Sequence, residues 1–426
     1  MRIAIIASGS RGDIEPYLAL GQGLQAAGHE VRFVAHDNFG AWIQAHHVEF
    51  WPIEGNPQEV AQSAEMRELL EKGNFLAILS KMGKDAQDNA LAFAKGGLAA
   101  CQGVDLIIAG LGGMFIGAAL AEKLNIEFMQ AHYVPFSPTR AYPNALFPAL
   151  PAFLNGSMNR VSYRLAQQMM WQGFRAADTV ARQQVLGLPQ ASFWGPYSSE
   201  RFTRNPVLYG YSPAVIPPPP DWDSHKQVTG YWFLDSANDW TPPANLVDFL
   251  QAGSPPIFIG FGSMSTRNPE AFTHTLVQAV TQTGQRAILL AGWGGLGAID
   301  LPETIFKLDA APFTWLFPRM AAVVHHGGAG TTSTGLRAGV PSIIVPFFAD
   351  QPFWGRRVAD LGVGPAPIPR KQLTADRLAQ AIRTAVTDGA MQRRAAELGA
   401  KIRSEDGIAR AVEVIAQVEA RIKSQR

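Results

Sequence analysis

The same order of elements begins twice in this chain. Near the start, the apolar strand Ile3–Ala7 is followed by a loop of small residues and by helical apolar spacing over Pro16–Ala27, which ends at Gly28. A second strand follows at Val31–Ala35, and the later runs Leu106–Ala109 and Glu127–Ala131 also read as buried strands. Strands that alternate with helices predict an α/β domain, in which a parallel sheet is covered on both faces.

The pattern restarts at Ile257–Phe261. Further strands are expected at Ala287–Ala291, Ala322–His325 and Ser342–Pro346. Residues 211–245 between the halves are rich in turns and prolines, and they read as a semi-rigid connection.

A chain of 426 residues is also too long for one hydrophobic core, since single cores stop growing at ~250–300 residues. The predicted fold class is α/β, with two Rossmann-like domains facing each other across a cleft. Ligands in such sheets bind beyond the carboxyl ends of the strands, so the cleft is the expected site. The predicted bounds are 1–215, a linker at 216–250, 251–405, and a final helix at 406–426 that could pack back on the first domain or on the second.

Composition excludes several classes of protein. A net charge of +1 and an apolar fraction of 47% fit neither a nucleic-acid-binding protein nor a disordered chain. The single cysteine, Cys101, rules out an internal disulfide framework. The first residues are too short an apolar run for a signal peptide, and Leu106–Ala121 is shorter than the ~20 residues that cross a bilayer. We therefore expect a cytoplasmic protein with at most peripheral membrane contact.

The strongest local motif runs from His325 to Thr332 as His-His-Gly-Gly-Ala-Gly-Thr-Thr, between a strand and the start of a helix. Helix N-termini present free N–H groups and a partial positive charge, and glycine lets a ligand approach closely. The motif therefore predicts a phosphate site, although a tight turn could also require its glycines. It is not a Walker loop, because it lacks the lysine of that motif.

The N-terminal loop Ala7–Gly12 approximates the dinucleotide fingerprint, and Asp37 lies beyond the second strand. An NAD-type oxidoreductase is the competing interpretation. It leaves the second glycine loop unexplained, and one near-match to the fingerprint is common.

Asp13 follows the first loop and is expected at the mouth of the cleft. Its carboxylate could accept a proton from a substrate hydroxyl, although a carboxylate is a weak base unless its surroundings strengthen it. It could equally cap the helix that begins near Ile14. Position alone leaves both roles open.

The pair Asp221 and Asp223 suggests a divalent metal site. Both residues directly follow four prolines in the presumed connector. We interpret them as solvated linker charges and expect no metal.

Four motifs resemble the GT-B glycosyltransferases of family 1. They are the double-histidine loop and the segments Gly9–Pro16, Gly260–Met264 and Pro346–Gly355. The resemblance spans both halves in order. It is strongest to sterol 3-β-glucosyltransferases and next to glycopeptide-antibiotic glycosyltransferases.

The resemblance implies a donor site in the second half. It implies that His326 donates a hydrogen bond to the donor diphosphate and that Ser263 meets the diphosphate from the other side. Asp350, 24 positions after His326, and Gln351 match the pair that binds the sugar hydroxyls. The remaining donor-binding residues on this basis are Phe313, Gly328, Ala329, Gly330 and Thr331.

Two positions depart from the plant enzymes of the family. Ala310 or Ala311 stands where those enzymes stack tryptophan on uracil, and Thr334 stands where they bind ribose with glutamate. These departures leave uridine and thymidine donors open, while the sterol-enzyme resemblance favours UDP-glucose.

The family's catalytic base falls on Asp13. The implied reaction is one in-line displacement, in which Asp13 takes the acceptor proton and an α-linked donor gives a β-glycoside. His326 and the helix end then stabilise the leaving group without a metal or a resident cofactor, the UDP-sugar being a co-substrate. If Asp13 is not the base, His132 is the next candidate.

The acceptor is indicated by composition alone. Residues 142–174 are rich in aromatic and methionine side chains, which suit a small hydrophobic acceptor such as a sterol, flavonoid or polyketide, and core packing explains them equally well. The candidate acceptor-binding residues are His132, Phe147, Met170 and Trp171. Two rival functions remain: a sugar-nucleotide epimerase of the same fold, and a non-catalytic partner that binds sugar nucleotides.

Overall fold

A computed structural model describes residues 1–72, 75–146, 156–234, 240–262, 264, 268–290 and 300–425. The chain forms two compact units. The first contains Met1–Pro57, Leu76–Leu234 and Glu405–Arg426, and the second contains Gln58–Phe75 and Asp235–Ser404.

The first unit is built on a seven-stranded parallel sheet in the order β3-β2-β1-β4-β5-β6-β7. Its strands are β1 Arg2–Ile6, β2 Glu30–His36, β3 Glu49–Ile53, β4 Leu106–Ala109, β5 Glu127–His132, β6 Val207–Tyr209 and β7 Lys226–Val228. The central strands are apolar along their length because helices cover both faces. Ile3, Ile5 and Ile108 are accordingly fully buried.

The helices of the first unit follow its strands. They are α1 Arg11–Ala26, α2 Gly40–Ala45, α5 Phe75–Asp88, α6 Ala90–Ala100, α7 Met114–Leu124, α8 Ser157–Val180, α9 Glu200–Thr203 and α17 Gly407–Ser424. The intervening α3 Pro57–Gln62 and α4 Ala64–Lys72 group almost entirely with the second unit.

The second unit repeats the plan with a five-stranded parallel sheet in the order β10-β9-β8-β11-β12. Its strands are β8 Ile257–Gly260, β9 Ala287–Leu290, β10 Ile305–Leu308, β11 Ala322–His325 and β12 Ser342–Ile344. Its helices are α10 Ala244–Gln251, α11 Pro269–Thr283, α12 Phe313–Leu316, α13 Ala329–Ala338, α14 Gln351–Asp360, α15 Ala375–Thr387 and α16 Gly389–Arg403.

Numbered within each unit, both strand orders begin 3-2-1-4-5. The order reverses between β1 and β4 in the first sheet and between β8 and β11 in the second. Ligands of doubly wound sheets bind at these switch points, beyond the carboxyl ends of the strands. The first turn of α1, directly after the loop that follows β1, carries Asp13, and the loop after β11 carries His326. The α/β class with two Rossmann-like domains is confirmed.

The connection between the units is shorter than the sequence suggested. Residues 216–234 belong to the first unit, and within them β7 pairs with β6 as a polar edge strand. The predicted linker at 216–250 therefore began too early. The sequence shows no sign of β7, because this strand has no apolar run and lies between proline-rich segments.

The last helix packs on the first unit. α17 contacts α1, and it packs so closely that a side chain at Gly23 would clash with Ile408. Arg421 also pairs with Glu127 at 3.3 Å.

Within the described residues, every helix is too short or too polar to cross a bilayer.

Candidate functional site

In the first unit, Asp13 is fixed by its own helix terminus. Helix α1 begins at Arg11 with Ser10 as the N-cap residue, so Asp13 is the third residue of the helix. Its Oδ2 accepts hydrogen bonds from the backbone N–H of Ser10 at 2.7 Å and from the Ser10 hydroxyl at 2.8 Å. A side chain at Gly9 would lie 2.5 Å from Oδ2, so the loop can approach the carboxylate only with glycine there. Ser10 and Asp13 together therefore form a capping box at the start of α1.

The second oxygen of Asp13 meets a distant residue. Tyr133 directly follows β5, and its hydroxyl donates a hydrogen bond to Oδ1 of Asp13. The Tyr133 ring packs edge-on against Tyr17 at 6.3 Å, and Tyr17 is itself anchored by a 2.6 Å bond to the Ala131 carbonyl. Both carboxylate oxygens are thus oriented by hydrogen bonds, and Asp13 is half-buried.

The cap interpretation of Asp13 needs one correction. Asp13 does not precede the helix as its N-cap, because the helix starts two residues earlier. It stabilises the helix from inside the first turn. That structural role does not exclude chemistry, since the carboxylate is presented at the switch point of the sheet.

In the second unit, His326 lies against the glycine loop. An added side chain at Gly328 would lie 2.5 Å from Nε2 of His326, so the ring and the loop backbone are in close contact. Burial lowers the pKa of His326 to about 4, which leaves the imidazole neutral near pH 7. A neutral imidazole has one N–H to donate, and Nδ1 is buried without a hydrogen-bond partner.

The first histidine has a different role. His325 is the fully buried last residue of β11, and its Nδ1 accepts a hydrogen bond from the backbone N–H of Gly327 at 3.1 Å. Burial and the neighbouring His326 lower its pKa well below the usual range. His325 therefore shapes the loop, and His326 is the histidine available to a ligand.

Helix α13 starts directly after this loop, with Gly328 as its N-cap residue. Ala329, Gly330 and Thr331 form its first turn, where backbone N–H groups lack intrahelical partners. No acidic residue occupies that turn. The turn can therefore bind an anion. The Thr334 hydroxyl of the same helix donates a hydrogen bond to the Gly330 carbonyl at 2.9 Å.

Asp350 and Gln351 stand at the start of α14, next to a constrained backbone. Ala349 has a φ of 55°, which is costly for a residue with a side chain. The buried Gln351 accepts hydrogen bonds at Oε1 from the N–H groups of Phe347 and Phe348, and its amide nitrogen contacts the Met264 sulfur. Asp350 accepts a bond from the Trp354 indole at 2.8 Å. Gln351 thus uses its oxygen to hold the loop and one N–H to contact Met264, so the second N–H of its NH₂ group is the candidate contact with a sugar.

Phe313 begins α12 and stacks on Phe317 at 4.5 Å. The Phe313 ring also packs on Phe258 of β8 at 5.3 Å, and helix α12 contacts α13, the helix that follows the glycine loop. Ser263 lies outside the described residues.

The candidate acceptor residues do not form one surface. His132 is fully buried beside Phe136 and Tyr209, and burial lowers its pKa to about 3. Trp171 is 1% exposed and donates its indole N–H to the Ser192 carbonyl. Both side chains are packed in the core of the first unit, so as acceptor contacts they remain predictions, and the low pKa makes His132 a weak base. Met170 is half-buried, and Phe147 lies outside the described residues.

The aspartates after the prolines have local partners. Asp221 accepts hydrogen bonds from the Thr139 hydroxyl at 2.6 Å and the Arg140 N–H at 2.9 Å, whereas Asp223 pairs with Lys226 at 2.9 Å. These bonds lower the pKa of both carboxyls. Both carboxylates are exposed to solvent, as expected, but they belong to the first unit and not to a linker. In the described part of the chain, no group of three His, Cys, Asp or Glu side chains could hold a metal ion.

The sequence analysis assigned no role to two residues of the site, Ser10 and Tyr133. Ser10 stands three positions before Asp13, and this spacing of a hydroxyl and a carboxylate is the signal of a capping box. Tyr133 lies 120 residues from Asp13 in the sequence, and no local sequence pattern predicts a contact over that separation.

Two family descriptions match the chain. Residues 3–143 match the glycosyltransferase family 28 N-terminal domain, and residues 289–420 match the C-terminal domain of proteins like erythromycin biosynthesis protein CIII. The first match lies mostly in the first unit and the second match mostly in the second unit, although the second match also includes most of α17.

Curated relatives extend the match across both units. The sterol 3-beta-glucosyltransferase of Aspergillus fumigatus is 39% identical over 97% of this chain, and that of Cryptococcus neoformans is 38% identical over the same share. The chain spans only 30% and 27% of the length of these two relatives.

Solved structures agree on the fold. The glycotransferase of kitacinnamycin superposes with a TM-score of 0.69 at 19% identity, covering 98% of both chains. The glycosyltransferase VinC in complex with DTDP gives 0.67 at 17% identity over 100% of both. With two such sheets and superpositions that cover nearly the whole chain, the chain has the two-domain GT-B fold of these glycosyltransferases, and over 97% of its length it is similar to sterol 3-beta-glucosyltransferases.

Proposed function

We propose that the chain is an inverting glycosyltransferase that moves a hexose, with glucose expected, from a UDP-sugar to a hydroxyl of a small hydrophobic acceptor. The observation that carries the proposal is the glycine loop between β11 and α13. Its helix end and the neutral His326 together suit a diphosphate. The sterol 3-beta-glucosyltransferase relatives support glucose and a sterol-like alcohol.

In this proposal, Asp13 is the general base. It takes the proton of the acceptor hydroxyl as the oxygen attacks the anomeric carbon opposite the diphosphate. The bond from that carbon to the diphosphate breaks, and the leaving charge is met by His326 and the first turn of α13. An α-linked donor then gives a β-glycoside.

Incubation with UDP-glucose and a panel of sterols, flavonoids and polyketides tests the proposal. Hexose-adducted products are expected by mass spectrometry. An isomerised sugar nucleotide without any adduct would indicate an epimerase. UDP binding without turnover of any panel member would indicate a non-catalytic binding protein.

Tyr133 is expected to position the base. Tyr133→Phe removes the donor to Oδ1 but leaves the ring, so kcat should fall roughly tenfold, the effect of one hydrogen bond to a charged group. Affinity for UDP should not change, because Tyr133 belongs to the first unit. Steady-state kinetics and calorimetric titration measure the two quantities.

Tyr17→Phe is the matched control for Tyr133→Phe. It also deletes a tyrosine hydroxyl in the same aromatic cluster, but that hydroxyl bonds to the Ala131 carbonyl and not to Asp13. The control should lower Tm with kcat nearly unchanged. Equal losses of kcat in both variants would show that Tyr133 acts only through packing.

EDTA is expected to leave activity nearly unchanged. The proposed site meets the phosphate charge with a helix terminus and His326, and Asp221 and Asp223 are already engaged by neighbouring donors. Initial rates with and without the chelator measure this. Complete loss that Mn²⁺ restores would contradict it.

A further inference from the structure

The loop that leads to Asp13 is short and has no regular structure. It spans residues 7–10, between the end of β1 at Ile6 and the start of α1 at Arg11. The backbone N–H of Ser10, inside this loop, donates to Oδ2 of Asp13 at 2.7 Å. The orientation of the carboxylate therefore depends on how firmly the loop is held.

The neighbouring strand β2 supplies a partner for this loop. The parallel strands pair with Ile6 opposite Val34, and the Ala7 N–H donates to the Val34 carbonyl at 3.0 Å. Two residues beyond that pair, Ser8 and His36 stand level with each other. The Ser8 hydroxyl and Nε2 of His36 form a hydrogen bond of 2.8 Å. The register of the two strands thus brings a hydroxyl and an imidazole together at the carboxyl edge of the sheet.

His36 is packed firmly in this position. Its side chain is 8% exposed, and its ring packs on Phe93 with 6.1 Å between the centroids. Gly55 also borders the ring, since an added side chain there would lie 3.3 Å from Cε1. Burial lowers the pKa of His36, and backbone hydrogen bonds at the end of β3 oppose that shift. The imidazole is therefore neutral near pH 7, and its bond to Ser8 satisfies a buried polar group.

The backbone of Ser8 is confined from the other side of β1. Gly112 lies in the loop after β4, which is the second neighbour of β1 in the sheet. An added side chain at Gly112 would lie 2.1 Å from the Ser8 carbonyl oxygen, so the two loops are in close contact. Ser8 is thus held through its hydroxyl by β2 and through its carbonyl by the loop after β4.

We propose that His36 is a positioning residue for the general base and acts through Ser8. The bond from His36 fixes Ser8, Ser8 fixes the N–H of Ser10 two residues later, and that N–H orients the carboxylate of Asp13. This inference rests on the proposed role of Asp13 in glycosyl transfer. A purely structural role of His36 would change the stability of the first unit and leave turnover unchanged, so kinetics separates the two roles.

Steady-state turnover of His36→Phe and of Ser8→Ala tests the proposal. Phenylalanine keeps the ring packing against Phe93 and Gly55 but cannot bond to Ser8. Each variant should lower kcat roughly three- to tenfold, the effect of losing one hydrogen bond between neutral groups. Affinity for UDP should not change, because the glycine loop proposed to bind UDP belongs to the second unit.

The double variant and His36→Gln test the hydrogen bond itself. If both residues act through their shared bond, the double variant should lose no more kcat than either single variant. His36→Gln should restore kcat to within about twofold of the wild type, because its amide can donate or accept a hydrogen bond near the position of Nε2.

His29→Phe is the matched control for His36→Phe. His29 directly precedes β2, so it lies at the opposite end of the same strand, and at 9% exposure it is buried to the same degree. The same substitution there should leave kcat at the wild-type value, whatever its effect on Tm. Thermal melts of all variants confirm that each is folded.

Three results would overturn this inference alone. They are wild-type kcat in a folded His36→Phe, losses of kcat that multiply in the double variant, and a loss of kcat in His29→Phe as large as that in His36→Phe. Absence of sugar transfer by the wild type would instead overturn the proposed function, and this inference with it.

Discussion

Asp13→Asn is expected to lower the rate of glycosylation of an aliphatic alcohol by roughly 10²–10⁴, the usual contribution of a positioned general base. UDP affinity should be unaffected, because the glycine loop and His326 belong to the second unit. Steady-state turnover of a sterol-like acceptor, together with calorimetric titration by UDP, measures both expectations.

The hydrogen bonds around Asp13 explain why asparagine is the right replacement. An asparagine oxygen facing Ser10 can accept the same two bonds, from the backbone N–H and the hydroxyl. Its NH₂ group then faces Tyr133, whose hydroxyl can accept as well as donate. The capping box therefore persists, and Tm should change little. Asp13→Ala is the contrasting variant, which should lose activity and also about 1 kcal/mol of stability with the lost cap.

The chemistry of the acceptor adds a further check on Asp13. A phenol, whose pKa is about 10, ionises far more readily than an aliphatic alcohol, so Asp13→Asn should impair its glycosylation less. Wild-type rates on an aliphatic alcohol would show that the base is elsewhere and that Asp13 serves only the helix terminus. His132 would not take its place, because it is buried and its pKa is lowered to about 3.

Among the strands of the described residues, the sequence predicted most of those that carry apolar runs and missed β3, β6, β7 and β10. Leu106–Ala109 and Ala322–His325 were predicted with the observed bounds, because central parallel strands are apolar on both faces. Strand β3 contains Pro52 and β7 reads Lys-Gln-Val, so neither shows such a run. β3 and β7 form strands because they pair with β2 and β6, and a local sequence pattern does not reveal such pairing.

In the candidate site, too, a local sequence pattern predicts some features, whereas others become visible only in the structure. The glycine loop was readable because one contiguous stretch contains the strand end, the glycines and the helix start. The partnership of Asp13 with Tyr133 arises only when β1 and β5 enter one sheet, so it required the structure. The acceptor residues show a related limit of composition: aromatic content near α8 does not distinguish the buried Trp171 from the exposed Trp194.

His326→Ala is expected to weaken UDP binding roughly 10- to 100-fold, the effect of losing one hydrogen bond to a charged acceptor. The imidazole is neutral near pH 7, since burial lowers its pKa to about 4, so it acts as an N–H donor and not as a cation. Turnover should fall as well, because the leaving diphosphate gains negative charge as its bond to the sugar breaks. Calorimetric titration with UDP measures the first effect, and single-turnover rates at saturating donor measure the second.

His326→Phe separates the hydrogen bond from the packing of the ring. Phenylalanine fills the space against Gly328 but offers no N–H, so it should bind UDP as weakly as the alanine variant while its Tm stays closer to that of the wild type. Recovery of wild-type affinity in His326→Phe would mean that the ring only supports the loop. Unchanged affinity in a folded His326→Ala would remove the residue from the donor site altogether. The phosphate would then be held by the backbone N–H groups of α13 alone, as the helix terminus by itself permits.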